Sequence, residues 1–432
     1  MNENNTKPKQ HSVGANMIFY TVGSMGYYFL IWLLSVLVVR ISGYEAAGVF
    51  SVCMSVTSAP AVVALYNMRS FQVSDINGEY ANRTYLNSRF VAFALSMLFC
   101  LGMVLFYGYD TRKGLIILAY MVVKGVEGVA DVYYGIEQLW NRLDLSGISL
   151  MIRGVAASGA FVAALAITDD MFWAMLVMAL ASVAVVLIVD VPLRKKYEGI
   201  YQPEQKNIVG GSVWKLMAIC TPLCIVGVLN NMTYTVPKIY LESFHGSEIM
   251  GYYASIASPT VVVQLVAQTL FAPVIPGLTE QYQQGHKKTF LGMIGKFAAL
   301  AAGLTLVCVV GAHFLGEFVL VLLYGEDIRP YTYLFVPVIF VAVSAAVSSV
   351  LMYICTLLRI IIPQCIAGVV GIGLAVALSY IMIKNAANPM LATLLAIIIA
   401  TVAYCLVSVI LIWIKVHKMN VQDEDKTEKI NG

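Results

Sequence analysis

Met17–Val39 reads MIFYTVGSMGYYFLIWLLSVLVV, 23 residues without an Asp, Glu, Lys or Arg. At about 1.5 Å per residue, a helix of that length crosses a hydrocarbon core of about 30 Å. The polar start before it, MNENNTKPKQHSVGAN (1–16), lacks the pattern of a cleavable signal, so the run reads as a retained first helix. Eleven more apolar stretches follow, at 46–66, 90–109, 115–137, 146–167, 171–191, 216–236, 249–272, 291–311, 333–357, 361–383 and 391–414. The 432 residues are 60% hydrophobic and 12% charged. A soluble chain carries about 25% charged residues, so there are too few charges here to cover a water-exposed surface. The expected fold is therefore all-α and integral to a membrane, with about twelve transmembrane helices. His313–Tyr324 is apolar but too short to span; it is expected either at the interface or as a continuation of the ninth helix.

An even number of spans puts both termini on one side. Counted that way, eighteen Lys and Arg fall on the side of the termini and six on the other, while Lys124, Arg153 and Lys296 lie inside spans. The excess of basic residues places the termini in the cytoplasm. A net charge of +3 gives no basic body to attract nucleic acid. All eight cysteines lie in apolar segments, which argues against disulfides. Cys220 and Cys224 stand one helical turn apart, but no His or third Cys lies near them in sequence, so small packing residues are expected there and no metal.

The longest polar linker, RKKYEGIYQPEQKN (194–207), divides the chain into an N-terminal lobe, 1–208, and a C-terminal lobe, 209–432, with six spans each. The two halves share a pattern. Gly43-Tyr44-Glu45-Ala46-Ala47-Gly48 aligns with Gly246-Ser247-Glu248-Ile249-Met250-Gly251 at an offset of 203, each where the first span of its half meets the second. A proline follows in each second span, Pro60 and Pro259. The motif alone can match by chance; its matching position and span count argue for duplication. Six spans per repeat make the repeats parallel, two bundles around a central cleft, as in a transporter.

Charge inside a span is costly and marks a cavity or a partner. The fourth span carries Lys124, Glu127 and Asp131, spaced 3 and 4 and so stacked on one helical face, which Gln138 continues. Lys124 can pair with Glu127, and Arg153 on the fifth span lies at the depth of Asp131, about 10 Å in, so an Asp131–Arg153 pair is expected. These groups either lock helices together or line a path for a substrate or ion. In the second case Glu127 and Asp131 are the candidates to carry a coupling proton, while Lys124, Arg153 and Arg69 at the end of span two can receive an anion. For Arg69 an ordinary membrane-edge anchor is the alternative. In the C-terminal half, Asn230, Asn231 and Gln264 can bond sugar hydroxyls or neighbouring helices. G-x-x-x-x-G-K-[ST], H-E-x-x-H and G-x-S-x-G are all absent, and the five histidines are scattered, so neither a soluble-type enzyme nor an ATP-driven pump is expected, and no cofactor.

These features resemble the multidrug/oligosaccharidyl-lipid/polysaccharide exporter superfamily, and most of all its Wzx-type branch of O-antigen and capsule repeat-unit flippases. The resemblance rests on Gly43–Phe50, RSFQVSD (69–75), KGVEGVADVYYGIEQLWNRLD (124–144) with Arg153, VPKIYLE (236–242) and LLYGED (322–327), and covers about residues 14–416. It implies transport of an undecaprenyl-pyrophosphate-linked oligosaccharide from the inner to the outer leaflet of a bacterial cytoplasmic membrane. It also implies a cationic cleft, with membrane lipids, a polysaccharide polymerase and assembly proteins as partners. A cation-coupled drug or metabolite exporter of the same superfamily is the alternative, although the first span lacks the acidic residue expected of one. A membrane-embedded glycosyltransferase or polymerase is the alternative of another class, although no outward loop exceeds about 20 polar residues.

Overall fold

In a computed structural model, residues 13–75, 78–201, 212–261, 263, 274–284 and 286–431 are described, and among them there is helix but no strand. The N-terminal helices are α1 (Val13–Leu65), α2 (Met68–Ser74), α3 (Asn82–Phe106), α4 (Thr111–Leu139), α5 (Leu143–Thr168) and α6 (Met171–Val185), which a π turn, Val186–Asp190, joins to α7 (Val191–Tyr201). Then come α8 (Val213–Ala257), α9 (Val274–Gln283), α10 (Lys287–Tyr324), α11 (Phe335–Leu357), α12 (Ile361–Leu378) and α13 (Pro389–Asn431). Nine helices among the described residues are long and apolar enough to cross a membrane. Two of them, α1 and α8, are each two helices joined at a bend. Counting both arms of each bend, and the charged α4, the described residues follow the expected order of twelve segments, the eighth described only as far as residue 263. The last part of the eighth span, 264–272, lies outside the described residues, as do 202–207 of the linker.

The two bends have the same cause. Gly43 sits at φ 80°, ψ −175° and Gly246 at φ 86°, ψ 171°. Only glycine adopts this conformation readily, because a Cβ would collide with the backbone. The residues paired by the sequence repeat thus share one backbone conformation, which supports the duplication.

Two compact units form, Met1–Cys224 and Ile225–Gly432. The start of α8 belongs to the first, where Leu216, Met217 and Cys220 pack with Met68, Tyr85, Ile136 and Trp140. In that unit α1 packs chiefly along α5 and α4. The α1–α5 approach is backbone to backbone: a Cβ on Gly23 would stand 2.1 Å from the Gly147 carbonyl oxygen, and one on Gly147 2.4 Å from that of Phe19. In the second unit Phe290, Phe297, Ile354, Leu358 and Ile412 form a core, and α12 lies against α13 with Gln364 donating to the Tyr404 hydroxyl at 3.2 Å. His313–Tyr324 continues the ninth span as part of α10. Large apolar side chains point outward in both units, among them Phe106, Ile167, Phe314 and Ile362. Water would penalise such a surface, whereas lipid tails solvate it. The protein is a multi-pass membrane protein.

Candidate functional site

The charged stripe on α4 is the centre of the site. Lys124 Nζ meets Glu127 Oε1 at 2.9 Å, the expected pair, and the Tyr27 hydroxyl of α1 also donates to Glu127. Asp131, one turn on, does not pair with Arg153. Arg69 Nη1 reaches its Oδ1 at 3.3 Å and Arg89 Nη2 its Oδ2 at 2.7 Å. The expected Asp131–Arg153 pair is thus corrected: equal depth on adjacent helices did not bring those two side chains together, because arginines from α2 and α3 occupy both carboxylate oxygens.

Local backbone explains how Arg69 gets there. Tyr66 and Asn67 both take positive φ, 47° and 55°, which breaks the helix and starts α2 in a new direction. Gln72 then presses on α4, donating to the Val132 carbonyl at 3.2 Å, where Gly135 leaves the room: a Cβ there would stand 2.3 Å from Gln72 Oε1. Arg69 is thereby held against the stripe, donating to Gln138 Oε1 at 3.0 Å and to the Tyr20 hydroxyl at 2.9 Å. Arg89 is fully buried and also donates to the Ala64 carbonyl.

Arg153 differs from Lys124, Arg69 and Arg89, which are all ion-paired. It is 3% exposed, and no carboxylate among the described residues lies within 4 Å of it. Its guanidinium stands over the rings of Tyr27 and Tyr134, 5.4 and 5.7 Å from their centroids. Its Nε and Nη1 have no hydrogen-bond acceptor. Two aromatic faces soften the isolation of a buried cation but do not satisfy its N–H donors.

Around the stripe, Lys124, Arg69, Arg89 and Arg153 face two carboxylates, Glu127 and Asp131, an excess of two positive charges among these six groups, with Asp190 also acting on Arg153. The side chains of Lys124, Glu127, Arg69 and Asp131 keep 16–22% of their surface accessible. Glu127 and Asp131, the candidates to carry a coupling proton, are both ion-paired. Carboxylates without a cation do exist in this unit: Glu137 and Asp190, both buried. The sequence reading passed over them, although Asp190 stands openly in the apolar run VVLIVDV (185–191).

In the second unit Asn230 is buried and donates to the Met352 sulfur at 3.8 Å, a contact between helices. Asn231 accepts from the Thr235 hydroxyl at 3.2 Å. Gln264 lies outside the described residues. Among the described residues no group of three His, Cys, Asp or Glu could hold a metal.

The profile of a family described as polysaccharide biosynthesis protein matches residues 13–282. The capsular polysaccharide biosynthesis protein CapF of Staphylococcus aureus is 23% identical over 296 residues, 68% of this chain and 73% of its own. An inward-facing multidrug resistance MATE family transporter of the MOP superfamily superposes with a TM-score of 0.64 at 11% identity, covering 94% of this chain and 99% of that one. A eukaryotic MATE transporter gives 0.62 at 10% identity, covering 95% and 98%. At such identities the structural likeness speaks for the fold alone.

Proposed function

The chain belongs to the polysaccharide biosynthesis protein family, and from this we propose that it is a flippase for a lipid-linked oligosaccharide. Family and fold are those of membrane transporters. The cargo we assign is an oligosaccharide on undecaprenyl pyrophosphate, moved from the inner to the outer leaflet of a bacterial cytoplasmic membrane. Both termini lie in the cytoplasm, as the distribution of Lys and Arg argues. A surface-polysaccharide polymerase and assembly proteins stand downstream as partners.

Arg153 is the observation that carries this reading. A pyrophosphate diester brings about two negative charges into a region of low dielectric, where an unpaired anion is very costly. The site has an excess of two positive charges, and Arg153 has two buried N–H donors without acceptors. A guanidinium is a planar fork that binds two phosphate oxygens at once. An anion is therefore a better cargo for this site than the cationic drug of the alternative reading. Lys124 and Arg69 are already paired, so they would assist by exchanging Glu127 and Asp131 for the head group. Asn230, Asn231 and Gln264 remain the candidate sugar contacts of the second unit, with Asn230 weakened by its burial.

The test is transport of a labelled lipid-linked oligosaccharide in proteoliposomes. The parent moves it chemically unchanged, Arg153→Ala abolishes movement at normal folding and insertion, and Arg153→Lys keeps part of it. Parent-rate transport by Arg153→Ala removes that residue from the site; chemical alteration of the oligosaccharide would mean an enzyme.

A further inference from the structure

Three polar residues of α5, Ser146, Ser149 and Arg153, are spaced 3 and 4 and share one helical face. The two serines meet carboxylates that the reading above leaves unused. Ser146 Oγ donates to Glu137 Oε2, at the end of α4, at 2.5 Å. Ser149 Oγ donates to Asp190, the last residue of the π turn, and lies 3.1 Å from the Tyr134 hydroxyl. Arg153 stands over the ring of that same tyrosine. The groups therefore form one connected cluster: Asp190, Ser149, Tyr134, Arg153.

Glu137 is 1% exposed and Asp190 fully buried. Neither has a Lys or Arg within 4 Å among the described residues. Each also keeps one oxygen without a donor, Glu137 Oε1 and Asp190 Oδ2. An ionised carboxylate so placed is a buried charge with half its acceptors unmet, which is costly. The charged and titratable neighbours do not change this. Asp190 faces Arg153 from α5 and Tyr134, Tyr133 and Glu137 from α4, and Tyr133 is in turn bonded to Arg194. Glu137 faces Asp190, Asp144 and Arg69, and the last two are already paired, with Arg142 and Asp131. The π turn is itself a local irregularity of the kind that recurs at functional sites.

We propose that Asp190, with Glu137 beside it, is a proton-binding site whose occupancy sets the affinity of Arg153 for a phosphate anion. Two carboxylates act on Arg153 through their charge, Glu127 and Asp190. Glu127 is held by Lys124 and Tyr27, which leaves Asp190 as the one whose charge can change. Ionised, Asp190 is a counter-charge that competes with the anion for Arg153. When a proton from water converts the carboxylate to the neutral acid, that competition ends. Proton and anion then favour each other's binding by the same factor, about 5- to 150-fold for a coupling of ordinary size.

This proposal rests on Arg153 as the head-group site, and the experiment separates the two. Binding of inorganic pyrophosphate to the full-length protein is measured by calorimetry at pH 6 and pH 8, with proton uptake read from the heats in buffers of different ionisation enthalpy. The parent should bind at least about fivefold more weakly at pH 8 and take up protons on binding. Pyrophosphate gains negative charge with rising pH, so its own titration works in the opposite direction. Asp190→Asn, which keeps the shape without the charge, should lose this fall and bind more tightly than the parent at pH 8. If the parent takes up no protons, or if Asp190→Asn keeps the fall, the proton site is wrong while Arg153 stands. Equal binding by the parent and Arg153→Ala, or no binding at either pH, overturns the head-group reading and this proposal with it.

Discussion

Replacing Asp131 by Asn separates a structural carboxylate from a proton carrier. Asp131 holds two arginines, Arg69 at 3.3 Å and Arg89 at 2.7 Å. Arg89 is completely buried, and its Nε already has no acceptor. The amide retains the shape but removes the charge that offsets two guanidinium groups. Leaving a buried ion without its partner costs about 3–5 kcal/mol. Arg69 keeps 22% of its side chain accessible and recovers part of its solvation, so the lower end, about 3 kcal/mol, is the better estimate. For a unit of roughly 200 residues this corresponds to a fall in Tm of about 6–12 °C. The assay is thermal unfolding of the detergent-solubilised protein, followed by tryptophan fluorescence. Adding Arg89→Met should recover much of the loss, because the orphaned charge leaves with its partner. A Tm for Asp131→Asn equal to that of the parent would refute the reasoning and return Asp131 to the set of groups that protonate in the cycle.

At the two bends, Gly43→Ala and Gly246→Ala should each destabilise by about 1–3 kcal/mol, since alanine is strained at these backbone angles; unfolding curves that match the parent would mean the bends straighten at no cost. Gly147→Ala should reduce the yield of monodisperse protein in size-exclusion chromatography, because its Cβ would stand 2.4 Å from the Phe19 carbonyl oxygen. A cysteine introduced at Glu204 should react with an impermeant thiol reagent only after the cells are opened, and labelling of intact cells would reverse the assigned topology.

Most of the architecture was legible in the sequence because lipid imposes a simple rule. Every span must satisfy its own backbone hydrogen bonds over about 20 residues, and that leaves a run anyone can count. The span junctions were legible too, since the repeat marks Gly43 and Gly246 where the first span of each half meets the second, and it is there that the helices bend. The pairing within the site was less so. Helical spacing put Lys124 beside Glu127, a local relation, and the two meet. Asp131 has partners that are distant in sequence, 62 and 42 residues away, and one of them, Arg69, is reached through the left-handed turn at Tyr66 and Asn67, which no periodicity announces.

The pairing of Asp131 with Arg69 and Arg89 sets the charge of the site as a whole. Had Asp131 paired with Arg153, the charges at the stripe would be closed, and an arriving anion would have to break an ion pair to find a donor. With Arg69 and Arg89 taking Asp131, Arg153 is left with two ring faces and two unmet N–H groups. Such a cation persists only where the surrounding packing enforces it, here by α1 and α4 closing on it with Tyr27 and Tyr134. The same packing places Ser149, one turn away, on Asp190. A vacant guanidinium and the serine that holds a carboxyl without a cation therefore stand on adjacent turns of α5, and what keeps guanidinium and carboxyl apart is the geometry of two tyrosines and a serine. Tyr134→Phe tests that arrangement directly: it keeps the ring over Arg153 but removes the hydroxyl that shares Ser149 with Asp190. Anion binding at low pH should then stay close to the parent value while its pH dependence weakens, whereas loss of binding at every pH would assign the hydroxyl to the anion itself.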